Sequence, residues 1–86
     1  MPVISQFYGI VIRMFFNDHS PPHFHAVYGE HEVMVSITPI RVIGGAAPSR
    51  VVSLLLEWAA LHQDELLGDW ERCRTGKNPL PVPPLD

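Results

Sequence analysis

The sequence predicts an α+β domain, a small antiparallel sheet of three to four strands packed against one long or two short C-terminal helices. Three observations predict it. Apolar and β-branched residues alternate with period two through the first half of the chain, as they do along half-buried strands. Apolar residues then recur at i+3 and i+4 from Val51 to Cys73, the spacing of a helix that buries one face. Turn-forming clusters at Asn17 to Pro22, Gly29-Glu30, Thr38-Pro39 and Gly44-Gly45 separate the segments. Eighty-six residues, 47% of them hydrophobic, suit one folded domain, read here as residues 1–76 with a Pro-rich tail at 77–86.

From Ile4 to Phe16 the alternation reads as one strand. Its even positions Tyr8, Ile10, Ile12, Met14 and Phe16 face the core, and its odd positions carry Arg13. Asn17 to Pro22 is a stiff turn, because Pro21-Pro22 removes two backbone donors and restricts the chain. His23 to Tyr28 and His31 to Ile37 form a hairpin about Gly29-Glu30, with Gly first as a type II′ turn prefers. That loop fixes the register. Tyr28 meets His31, Ala26 meets Val33 and Phe24 meets Val35; on the other face Val27 meets Glu32, His25 meets Met34 and His23 meets Ser36. Phe24, Ala26, Val33 and Val35 then share the core face, and His23 and His25 project side by side toward solvent. Matching the first strand's apolar face to Phe24 places Arg13 with the histidines. Ile40 to Ile43 reads as a short fourth strand closed by Gly44-Gly45. Ser49 is the expected N-cap of the helical region, which should bend or break near His62-Asp64 or Gly68. Thr75-Gly76 ends it, with Arg72 and Arg74 favourably placed in the last turn. The tail, with four of the nine prolines in its last eight residues, should be extended, either free or docked on its own domain or on a partner.

The net charge of -3 leaves no overall basic footprint, so composition does not support a nucleic-acid partner. A single cysteine, Cys73, excludes an internal disulfide and a cysteine-only zinc site. The start Met-Pro-Val-Ile-Ser has no basic region before an apolar run, and no apolar stretch approaches the ~18 residues of a membrane span. The expected location is the cytoplasm. An unpaired sheet edge admits a homodimer.

Polar chemistry concentrates in Asn17-Asp18-His19-Ser20-Pro21-Pro22-His23-Phe24-His25, which holds three of the five histidines. Side chains two apart on a strand point the same way, so His23 and His25 can reach one ligand. Asn17, Asp18, His19 and Phe24 complete a candidate binding surface. Two chemistries fit this pattern. A metal-independent ribonuclease would use His23 and His25 as acid and base, with Arg13 on the phosphate charge. A metal-binding protein would use His19, His23, His25 and Asp18 to hold a divalent transition metal such as zinc, nickel, copper or iron. The competing reading is structural, with imidazoles that only satisfy the turn.

Three segments resemble a small bacterial family, domain of unknown function 4160: Ile4 to Ile12, Phe16 to His25, and Leu56 to His62 with Glu65-Leu66-Leu67 and Trp70. The likeness runs from Met1 to about Gly76. Gln6 stands where the family commonly has a basic residue, and Gly68 where it often has an acidic helix former. The family has no established activity, so the likeness assigns no chemistry to Asn17, Asp18, His19, Pro21, Pro22, His23, Phe24 or His25. What it implies is a partner: members often resemble one half of a toxin–antitoxin-like two-gene unit. The leading expectation is therefore an interaction or regulatory component that binds a small protein encoded by the neighbouring gene, with the His-rich turn as its functional surface.

Overall fold

The computed structural model describes residues 2–86. Five strands, β1 (Val3–Phe7), β2 (Ile10–Arg13), β3 (His23–Tyr28), β4 (His31–Ile37) and β5 (Ile40–Ala46), form one antiparallel meander in sequence order. Two helices follow, α1 (Ser49–Leu61) and α2 (Gln63–Arg74). The α+β class holds, with one strand more than the upper expectation.

The extra strand comes from Ile4 to Phe16, which is a hairpin rather than one strand. Tyr8 and Gly9 both take positive φ, 50° and 79°, the combination a tight two-residue hairpin turn needs. Tyr8 therefore leaves the alternation and is exposed, whereas Ile10, Ile12 and Met14 are buried as expected. Phe16 is also exposed, because the chain has left the sheet by that point.

The β3–β4 register is the one inferred from the sequence, at all six pairs. Phe24, Ala26, Val33 and Val35 face the helices and are buried against Val51, Leu55, Trp58 and Leu66. The Phe24 ring meets Trp58 edge to face at 5.5 Å. β5 runs three residues beyond Ile43, since Gly44-Gly45 does not end it. The ladder instead shifts register between Met34 and Val35, and Gly45 adopts φ 74°. A Cβ on Gly45 would stand 2.0 Å from the Glu32 carbonyl oxygen, so the irregularity requires glycine there.

The helical region breaks at His62, as the sequence allowed, and not at Gly68. Gln63 Nε2 donates to the Ile37 carbonyl at 2.8 Å, tying the start of α2 to the end of β4. Ser49 is not the N-cap; Pro48 holds that position without a side-chain bond, and its carbonyl accepts from Val51 and Val52. α2 ends as expected at Thr75-Gly76. Gly76 has φ 80°, its N–H donates to Cys73 O, and the Lys77 N–H donates to Arg72 O, which satisfies the last carbonyls of the helix.

The tail docks on its own domain. Leu80 N–H donates to Asp69 Oδ1, Val82 N–H to the Ile4 carbonyl on β1, and Trp58 Nε1–H to the Pro83 carbonyl, each at 2.8 Å. Val82 is only 4% exposed. No helix among the described residues is long and apolar enough to cross a membrane.

Candidate metal centre

The site lies where β3 begins, under the loop that joins it to β2. The loop is fastened at both ends. The Asn17 N–H donates to the Cys73 carbonyl of α2, and the Ile37 N–H of β4 donates to the Pro22 carbonyl. Asn17 takes φ 53°, a left-handed conformation that Asn tolerates better than most residues. Asp18 Oδ1 accepts the His19 N–H at 2.9 Å, which fixes the carboxylate and turns Oδ2 toward the strand.

Two imidazoles converge on that oxygen. His23 Nε2 lies 3.0 Å and His25 Nε2 3.3 Å from Asp18 Oδ2, and the two rings are 5.1 Å apart. Strand periodicity accounts for their shared side, but not for their surroundings. His23 packs on Trp70 of α2 at 5.2 Å and His25 meets the edge of Phe15 at 4.2 Å. With His23 only 5% exposed, the pair does not stand on an open wet face. The loop folds back over the sheet and α2 closes the other side, leaving access through a cleft of about 340 Å³.

The other nitrogens are equally defined. His23 Nδ1 lies 2.7 Å from the Pro21 carbonyl. A carbonyl only accepts, so Nδ1 carries the proton and donates. His25 lies between two carboxylates, Nδ1 3.2 Å from Glu32 Oε2 and Nε2 3.3 Å from Asp18 Oδ2, and its neutral ring donates to one of them. With His23 Nδ1 donating to Pro21, the neutral His23 ring turns its Nε2 lone pair toward Asp18 Oδ2, and the His25 tautomer that donates to Glu32 does the same. In that tautomer three Lewis-basic atoms meet, an arrangement that a bound cation stabilises. Burial alone pushes the Asp18 carboxyl up, but hydrogen bonds from His25 and the His19 N–H, with the charges of His23 and His25, outweigh it and hold the group below its usual 3.8.

The donor atoms of Asp18, His23 and His25 all lie within 4.8 Å of one another. Bonds of ~2.0–2.2 Å to a transition metal put neighbouring donors about 3–3.5 Å apart, and the two Nε2–Oδ2 separations, 3.0 and 3.3 Å, fall in that range. The Nδ1 bonds to Pro21 and Glu32 are the outer partners that ligating histidines normally have.

The remaining candidate residues are distributed differently. His19 is not in the cluster; its side chain is 96% exposed and its Nε2 lies 3.9 Å from Asp18 Oδ1. Phe24 is fully buried on the opposite face of the sheet and takes no part. Asn17 contributes its backbone. Arg13 stands directly across from His25 in the β2–β3 register, as expected, and its Nε is buried without a hydrogen-bond partner. Sequence reasoning missed Glu32, Phe15, Trp70 and the Pro21 carbonyl. Glu32 had a readable signal, being one same-face step from His25 across the hairpin; the others depend on how the loop and α2 fold.

Among known proteins, the family model described as Domain of unknown function (DUF4160) matches residues 9–71. No curated protein and no solved structure matches the chain. The matched span runs from the β1–β2 turn into α2 and contains Asp18, His23, His25, Glu32 and Trp70. Because the match covers well over half of its 86 residues, the chain belongs to the DUF4160 family.

Proposed function

We propose that this domain is a metal-binding module, with a divalent first-row transition ion held by Asp18 Oδ2, His23 Nε2 and His25 Nε2, and that this centre is the working surface of an interaction or regulatory component in a two-gene unit. One observation supports the metal reading above the others: both Nδ1 atoms have an acceptor of their own, Pro21 O and Glu32 Oε2, which frees two Nε2 lone pairs to converge with one carboxylate oxygen on a bound ion. Imidazole and carboxylate together suit zinc, iron, nickel and copper. The ion would also fix the Asn17–Pro22 loop to β3, joining segments that are separate in sequence.

The ribonuclease reading draws on the position of Arg13 across from His25. It requires one ring to offer a lone pair and the other a proton to a substrate. Here both Nε2 atoms are committed to the same Asp18 oxygen, so the geometry favours an ion over an acid–base pair.

The test is metal analysis and calorimetric titration of chelator-treated protein with Zn²⁺ and Co²⁺. One ion per chain is expected. Saturation at 100 times Kd would stabilise the fold by about 2.7 kcal/mol, roughly 10–20 °C in Tm for a domain of this size. His23→Ala and Asp18→Asn should abolish binding, and Glu32→Gln should weaken it about 10–100-fold. Wild-type protein that takes up neither ion, with an unchanged Tm, would refute the proposal. Pull-down with the product of the neighbouring gene, with and without metal, tests the interaction role; no complex in either state would refute that part.

A further inference from the structure

Building on the metal reading, we infer that the open side of this centre takes a small monocarboxylate with an apolar body. The chain supplies three donor atoms, and first-row ions of this kind bind four to six, so positions remain for another ligand. Those positions face the cleft, whose walls are Pro21, Met34 and Ile43, with His19 and Ser20 at its mouth. The walls are largely apolar and the polar groups lie near the ion, an arrangement that orients one charged end of a ligand and covers the rest of it.

Charge selects an anion. Asp18 is the only carboxylate in the donor set, so a dication keeps one unit of positive charge there. Glu32 answers the far side of His25. Two arginines flank the pair on the same sheet face. Arg13 is directly opposite His25, and Arg41 lies in the row that runs from His23 through Ser36. Neither lines the cleft or makes an ion pair among the described residues, so their charge reaches the site only from a distance, without a hydrogen bond to the ligand. A single carboxylate balances the ion. A phosphate dianion would need more hydrogen-bond donors than Pro21, Met34 and Ile43 provide.

The experiment uses the full chain loaded with Co²⁺, whose visible absorption reports a change of ligand, titrated with acetate, butyrate and inorganic phosphate. Metal analysis is run on the same sample. Butyrate should perturb the spectrum saturably and bind about tenfold more tightly than acetate, because its two extra methylenes enter the apolar part of the cleft. Ile43→Ser should erase that preference. A cobalt spectrum that no carboxylate moves, equal affinity for acetate and butyrate, or a response to phosphate alone would overturn the inference while leaving the metal centre in place. Protein that takes up no Co²⁺ overturns both, and the metal analysis identifies that outcome directly.

Discussion

Replacing Val82 by alanine measures how firmly the C-terminal strap belongs to the core. Val82 is 4% exposed and lies over β1, and its backbone N–H bond to the Ile4 carbonyl survives the substitution. The change therefore isolates the side chain. Two methyl groups leave a buried site, at about 0.8 kcal/mol each in transfer terms. The space left behind raises the loss to about 2–3 kcal/mol in total. In a domain of this size that lowers Tm by roughly 8–20 °C. Leu80→Ala is the internal control. Leu80 lies two residues away in the same strap but is 56% exposed, so its loss should stay within about 0.5 kcal/mol. Urea unfolding followed by tryptophan fluorescence reads both variants on one scale. Equal midpoints for the two variants, or a Val82→Ala midpoint matching wild type, would show that the strap is not seated in this register.

Four further outcomes are expected. Burial pushes the Asp69 carboxyl above 3.8 despite the opposing Leu80 N–H and Arg72; the stability linked to it is present below that value and is lost as pH rises, so Asp69→Asn should remove that part of the decline in urea titrations above about pH 4. Asp18 behaves in the opposite sense: its lowered value gives stability that is complete above 3.8 and drains away as pH falls, and Asp18→Asn should flatten this acid limb in metal-free protein. Cys73 is 1% exposed and burial raises its thiol above 9.0, so iodoacetamide should label native protein at least tenfold more slowly than unfolded protein, as followed by mass spectrometry. Gly45→Ala puts a Cβ against the Glu32 carbonyl at positive φ and should cost at least about 1–3 kcal/mol by denaturant unfolding.

Much of this fold is readable from local pattern. The β3–β4 register follows from Gly29-Glu30 and a clean alternation, since sliding Phe24 off the core face would be costly. The helical stripe is equally plain: Val51, Leu55, Trp58, Leu66, Trp70 and Cys73 are all buried. The β1–β2 hairpin was hidden because Tyr8 continues the alternation while its backbone has already turned; no Asn or Asp marks the turn, and Gly9 alone is a weak sign. β5 was underestimated because Gly44-Gly45 resembles a terminator, whereas the glycines serve an irregularity opposite Glu32 and Met34. At the site, the shared side of His23 and His25 was legible from strand geometry. Their enclosure was not, because Phe15 and Trp70 reach them through a loop path and a helix placement that no local periodicity encodes. His19 shows the converse, since nearness in sequence to His23 did not bring its ring to the cluster.

From Asn78 onward the strap is held by four hydrogen bonds among the described residues, to Arg72, Asp69, Ile4 and Trp58, and just one of them reaches the sheet. It is therefore the segment whose detachment disturbs least of the sheet. Its departure would bare the Trp58 indole proton, otherwise sealed beneath Pro83, to isotope exchange long before the strand amides open. That single resonance is a clock for partial opening, and it can be read in native buffer without denaturant.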